Sequence, residues 1–447
     1  MVHVQAFRGL RYDLAKVGDL SEVVAPPYDV IDQNLQSELY ARHPHNIVRL
    51  ILNRREEGDG AAAPYERAAE LLEQWRRSGF LVVDKTPAIY VYHQVFLHEG
   101  VQVVRRGFIA RVRLEPFGKG SVHPHEETHA KVKEDRLKLT RATGTNLSQI
   151  FGFFLDEQCQ VQSTLEAAID DPTPVVATDH LGVQHKLWRV TQEAVIAQIA
   201  QHMAERDVFV ADGHHRYETA CTYRDELQAQ HPLDSQHPAN YVSMTLVGSG
   251  DPGLIVLPTH RLFRGAPPLT SRDLIQRLAG CFDIAVIGQG IETAKQTWAA
   301  VRDLESPSTL GLFTQVDATW HLASLSPAGE RELAKLAPEH SPAWRALGVA
   351  VLHDLILKHL LQLTNLPSPL YVHSIDEVIQ ALHQGDSAGR DATGQAGVNA
   401  PFHLAALVQP ASLADIQTVS RTQERMPAKS TYFYPKLLSG LVLNPLQ

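Results

Sequence analysis

Two hydrophobic periods alternate along the chain. Residues 88–114, "AIYVYHQVFLHEG" followed by "VQVVRRGFIARVRL", are β-branched and aromatic runs joined at Glu99-Gly100, which predicts a hairpin. Over 64–77 the apolar positions Tyr65, Ala68, Ala69, Leu71, Leu72 and Trp75 recur with helical spacing. Pro64 suits the first turn there and Gly79 the stop. Strands are predicted for "QIFGFFL" (149–155), "HKLWRV" (185–190) and "YVSMTLVG" (241–248), and a turn cluster, "GSGDPG" (248–253), precedes "LIVLPTHRLF" (254–263). Helices are predicted over 131–142, from a Thr191 N-cap to about 202, near 270–280 and over 343–364. The polar stretch 116–150 reads as exposed loop plus helix, and the glycine-rich 385–397, "GDSAGRDATGQAG", as a mobile loop too polar to pack. Strands and helices interleave without strict βαβ regularity, so an α+β or mixed α/β class is expected over a doubly wound sheet.

Length changes the picture first. A chain of 447 residues exceeds what one core usually serves, and two domains are expected, 1–250 and 251–447. With 44% hydrophobic and 20% charged residues, disorder has no compositional support. A formal charge of −9 argues against a surface that coats nucleic acid, while leaving room for a local basic pocket. No apolar run approaches a membrane span: "ALGVAVLHDLIL" (346–357) is broken by His353 and Asp354 and reads as a buried helix. The first residues lack the pattern of a signal peptide. Cys159, Cys221 and Cys281 have neither metal-ligand nor disulfide spacing. A cytoplasmic protein without membrane partner is expected.

Chemistry concentrates in "VFVADGHHRYETA", 208–220. Val208 to Ala211 reads as a buried strand, Asp212-Gly213 as a turn and His214 onward as a helix. Gly213 permits a positive φ or a close backbone approach. The helix start offers unpaired N–H groups and a positive dipole end, both suited to phosphate or carboxylate. Arg216 adds a planar fork of donors. His214 and His215 can act as acid or base near neutrality, and Asp212 can orient one of them, bind Mg²⁺ or accept a proton. The same residues also make an ordinary Asp-Gly turn with a capped, solvated helix face.

"ADGHHRYETA" resembles the helix-opening turn of the ParB/sulfiredoxin-like superfamily, and most of all the Asp-Gly-His-His-Arg form in archaeal free L-serine kinases. The resemblance implies a ParB/sulfiredoxin-like core with large elaborations, in which Asp212, Gly213, His214, His215 and Arg216 form a phosphate site. A longer resemblance runs through "PPYDVI", "HEETHAKVKEDRLKLTRATGTNLSQIFGFF", "LPTHRL" and "MPAKSTYFYPKLLSGLV". These look like successive blocks of a widespread bacterial family of unknown function, which implies no reaction.

Other polar groups are candidates. "HPHEETH" (123–129) satisfies the HExxH pattern through His125, Glu126 and His129, yet Pro124 and the preceding "FGKGS" set it at a loop exit, unlike a zincin helix. His125 and Glu126 are better placed as a metal ligand and a base facing the phosphate turn, or as a solvated helix start. Arg136 could reach phosphate or join a surface salt bridge. Lys429, Ser430 and Thr431 could grip phosphate, although no glycine-rich run makes them a P-loop. Asp29 in "PPYDVI" is a further acid or part of a rigid turn.

The leading expectation is a small-molecule phosphotransferase, a kinase acting on a small alcohol such as serine, with Mg²⁺ and ATP, ADP or pyrophosphate as donor. A CTP- or ATP-sensing regulatory module and a metal-dependent hydrolase or nuclease are the alternatives.

Overall fold

A computed structural model describes residues 1–386 and 401–447. The chain forms two compact units, one of residues 1–124, 128–255 and 433–447, the other of residues 125–127 and 256–432. From residue 387 onward the expected loop at 385–397 lies outside the described residues.

The first unit is built on a nine-stranded mixed sheet. Its strands are β1 (Val4–Gln5), β2 (Ile89–His98), β3 (Val101–Arg113), β4 (Val122–His123), β5 (Ile150–Phe154), β6 (Val175–Thr178), β7 (Gln184–Val190), β8 (Val208–Asp212) and β9 (Tyr241–Gly248). They lie in the order β4-β8-β5-β9-β3-β2-β7-β6, with β1 added beside β3. The β2–β3 hairpin turns on two residues with positive φ, Glu99 at 48° and Gly100 at 79°, as a tight turn matched to strand twist requires. β5 and β9 run parallel and are buried at every position, which explains why both read as continuous apolar runs instead of alternating ones.

Helices α1 (Ala63–Arg77), α2 (Ala130–Thr143), α3 (Gln160–Ala167), α4 (Glu193–Ala204) and α5 (His214–Gln230) belong to this unit. α4 starts later than the Thr191 cap predicted: strand β7 runs to Val190, and the chain needs the next two residues to leave the sheet. α2 closes at Gly144 in the left-handed region, whose N–H returns to the Thr140 carbonyl.

The second unit has its own six-stranded antiparallel sheet of β10 (His260–Phe263), β11 (Phe282–Gln289), β12 (Thr309–Thr314), β13 (Thr319–Leu325), β14 (Leu370–Val372) and β15 (Leu404–Leu407). The apolar stretch near 350 is its core: Val351–Leu360 winds as a wide helix with Leu352, Leu355 and Ile356 fully buried. The class is therefore mixed α/β with one large mixed sheet. Among the described residues, no helix is long and apolar enough to cross a membrane.

His260 gives this second unit an acid-sensitive point. It is fully buried, its Nδ1 accepts the Val408 N–H at 3.2 Å, and burial pushes its pKa down to about 3. The unfolded imidazole protonates near pH 6.5, so the stability it contributes is complete above that pH and is lost as pH falls toward 3. A His260→Gln variant should show a flatter acid limb in the thermal midpoint between pH 6.5 and 4, by about 2 kcal/mol or more. An unchanged limb would place the acid sensitivity elsewhere.

Candidate functional site

Strand β8 does not run straight into the turn. Val210 pairs with Gly152 but Asp212 with Phe151, so Ala211 is an extra residue in the ladder. Such a bulge re-aims the side chain that follows it. Gly213 then takes φ 92°, ψ 26°, caps α5, and accepts the Tyr217 N–H at 3.0 Å. The carboxylate of Asp212 is held from two sides. Lys436 Nζ donates to Oδ1 at 2.8 Å and Arg216 Nη2 to Oδ2 at 2.7 Å. Arg216 Nη1 also donates to the Gln149 carbonyl. Burial would raise the carboxyl's pKa, but the Lys436 and Arg216 cations override it and hold Asp212 well below the usual carboxylate range. Two cations against one carboxylate leave the trio with an excess positive charge.

The two histidines part ways. His214 turns inward, buried, with Phe117 edge-on at 6.4 Å. His215 is half-buried, and its Nε2 accepts the His129 N–H at 2.9 Å, which places the proton of the neutral ring on Nδ1. Burial, with His129 and Lys133 adding to it, lowers its pKa, so it is neutral at pH 7. Nearby, Glu218 accepts from Lys133 Nζ and Thr128 Oγ1, each at 2.7 Å.

A cleft opens along the first turns of α5 and the middle of α2, lined by Tyr28, Arg136, Thr140, Ser148, Arg216 and Thr219 among others. Its free volume of about 50 Å³ is several times what one water needs and suits a phosphate-sized group. Residues 136, 139 and 140 of one helix and 216, 219 and 220 of the other face it, the i, i+3, i+4 spacing of a helix side. Arg136 is held by Asp135 and by the Ile51 carbonyl at 2.7 Å, and its guanidinium stacks over Tyr28 at 4.0 Å. Burial, then the charge of Asp29, pushes the Tyr28 phenol up to about 12, so it is a donor at neutral pH. Thr219 Oγ1 is buried with no hydrogen-bond partner, and its residue is 3% exposed. An unsatisfied hydroxyl buried behind a cleft wall calls for a water or a ligand oxygen as its partner.

His125, Glu126, Lys429, Ser430 and Thr431 belong to the second unit. The 125–129 segment is extended, so the HExxH letters do not form a helix face. His125 Nε2 meets Thr431 Oγ1 at 2.9 Å, and the Lys429 N–H points to Glu126 Oε1 at 3.4 Å. Ser430 is buried and donates to the Pro427 carbonyl. Among the described residues, no three His, Cys, Asp or Glu converge as a metal cage.

The sequence marks Lys436 only as one of the basic residues of 425–436 and does not mark Thr219. Lys436 lies more than two hundred positions from its carboxylate, and no local pattern marks that pairing. Thr219 shares the helical spacing with Arg216, a signal that was available.

At Gly213 added bulk meets the site directly. A Cβ there would sit 2.9–3.0 Å from the Arg216 guanidinium, on a backbone with φ 92°. Gly213→Ala should lower stability by about 1–2 kcal/mol in urea unfolding and displace Arg216 from Asp212. An unchanged midpoint would mean the turn relaxes without strain.

Residues 4–350 match the model of a family described as a protein of unknown function (DUF1015). No curated protein matches the chain. Solved structures that align with it include a free serine kinase in complex with AMP, at 10% identity over 71% of this chain and 86% of that one, TM-score 0.32. Another is SbnI with a C-terminal truncation from Staphylococcus aureus, at 12% identity over 76% of this chain and 87% of that one, TM-score 0.33. A conserved hypothetical protein from Pyrococcus furiosus aligns at 11% identity over 71% and 90%, TM-score 0.31. Likeness at this level carries no argument about chemistry.

Proposed function

The chain belongs to the DUF1015 family, which brings no assigned reaction, and we propose from its own geometry that it is a small-molecule phosphotransferase whose phosphate group sits in the cleft beside Arg216. One observation carries this reading: Arg136, Arg216 and the unpartnered Thr219 hydroxyl share one phosphate-sized cleft next to a trio with excess positive charge. Both guanidinium groups already hold protein oxygens, so they offer a phosphate their charge and remaining N–H groups, and phosphoryl transfer asks for positioned charge more than for covalent machinery. The ParB/sulfiredoxin-like ancestry suggested by the turn is part of the same proposal.

In this reading Asp212 fixes the two cations. His215, neutral, would serve as the base for the acceptor hydroxyl through Nε2 once that nitrogen gives up the His129 N–H. Mg²⁺ fits as a companion of the ligand's phosphates, with Asp29 as the exposed carboxylate to meet it, because Mg²⁺ commonly keeps its waters and takes few protein oxygens. ATP, ADP and pyrophosphate are the donors to try, and serine the first acceptor.

Calorimetric titration with each donor, followed by incubation with serine and Mg²⁺ and detection of phosphoserine by ³¹P NMR, tests the reading. Arg216→Ala should weaken donor binding about tenfold or more while the protein stays folded. Failure of the wild-type protein to bind any donor would remove the proposal. Binding without turnover for any small alcohol would favour the regulatory module, a reading supported by the cation on each Asp212 oxygen, which holds that carboxylate ionised and makes it a weak base.

A further inference from the structure

We propose that the first unit carries a second anion site, a groove lined by Arg8, Arg76 and Arg111 that takes a small oligophosphate. The groove has a free volume of about 370 Å³, is lined by no Asp or Glu side chain although Gln447 with its terminal carboxylate stands at its wall, and shares no residue with the cleft at Arg216. Its three guanidinium groups come from separate elements: the segment after β1, the end of α1 and the last residues of β3.

Arg111 is the built part. It is half-buried, its Nε donates to Asn444 Oδ1 at 2.6 Å, its Nη2 donates to the Pro445 carbonyl at 3.1 Å, and its guanidinium lies 5.3 Å from the centre of the Phe7 ring. Every one of these partners is neutral. Burial pushes its pKa down to about 10, so it remains charged at pH 7. Arg8 donates through Nε to the Asp84 carbonyl at 2.8 Å, which leaves its two terminal nitrogens for the groove. Among the described residues no carboxylate, the chain's terminal one included, forms an ion pair with Arg8 or Arg111. Arg76 has only a loose, exposed contact with Glu73 at 3.7 Å.

Side chains are usually arranged so that a half-buried cation has a counter-charge, and three guanidinium groups facing one groove repel one another. A ligand with two or more phosphate charges removes that repulsion, and the planar forks suit its oxygens. Gln5 and Gln236, joined to each other at 3.1 Å, add amide donors and acceptors on the same wall. The overall charge of −9 speaks against a long polyanion such as nucleic acid and leaves a small ligand.

The test is calorimetric titration of the full chain with pyrophosphate at low ionic strength. Arg216→Ala protein, with the first cleft weakened, should still bind one pyrophosphate. Adding R8Q and R111Q to it should reduce that affinity tenfold or more, and 0.3 M salt should do the same. R76Q, at an exposed position, should cost about threefold without touching the fold, and so keeps the test open if the double change unfolds the protein. Arg216→Ala protein that binds no pyrophosphate, or groove variants that bind within twofold of it, would overturn the proposal. Because the groove is read on the Arg216→Ala background, its failure is separate from failure of the phosphotransferase reading.

Discussion

Asp212→Ala should cost the first unit roughly 3 kcal/mol, seen as a lower urea midpoint with unchanged slope. The side chains of Asp212, Arg216 and Lys436 are 18%, 14% and 16% exposed, so the variant leaves two mostly buried cations facing each other without their shared anion. Breaking such a group from one side is worse than never having built it, because the stranded charges keep their desolvation cost. Asp212→Asn keeps the shape and still accepts a hydrogen bond, so it should lose less. The two proteins also differ in acid. The carboxyl of Asp212 is held below its ordinary range, so the unfolded chain protonates there first. Its contribution is complete above about pH 4 and disappears as pH falls further. The gap between wild type and Asp212→Asn should therefore narrow steadily on acidification. A gap that stays constant down to pH 2 would show that the carboxylate is not the charge that matters.

Phe153→Ala should cost about 3–5 kcal/mol in the same unit. Phe153 is fully buried on β5, stacked on Phe209 of β8 at 5.2 Å and tilted against Phe433 at 6.0 Å. This aromatic layer underlies the strand that delivers Asp212 and the returning segment that delivers Lys436. Removing the ring leaves a cavity between them, and the neighbours can close it only by moving β8 or residues 433–436. Stability and pyrophosphate binding should therefore fall together. Leu97, 69% exposed at the end of β2, is the control, and its alanine variant should be within 0.5 kcal/mol of wild type. If Phe153→Ala unfolds like Leu97→Ala, the layer is not what holds the site.

Local pattern made most of the first unit readable. The Glu99-Gly100 hairpin, the helix over 63–77 and the strand over 241–248 follow from side-chain periodicity and turn chemistry, which act over a few residues. The strand–glycine–helix corner at 208–230 was legible for the same reason. The bulge at Ala211 was not, because a bulge exists only relative to the neighbouring strand, here β5. The start of α4 was misplaced because the length of β7 depends on its pairing with β2 and β6.

The sequence by itself determined the mixed α/β class, the helix-opening turn with Gly213 at positive φ, and the residue types available for anion chemistry. Only the tertiary structure decided that Arg216 spends its fork on Asp212 and Gln149, that Lys436 joins them from the far end of the chain, and that Arg136 and Thr219 share a cleft with Arg216. The reason is range. Backbone conformation answers to neighbours a few residues away, whereas a charge or a hydroxyl answers to whatever the fold brings within a few ångströms.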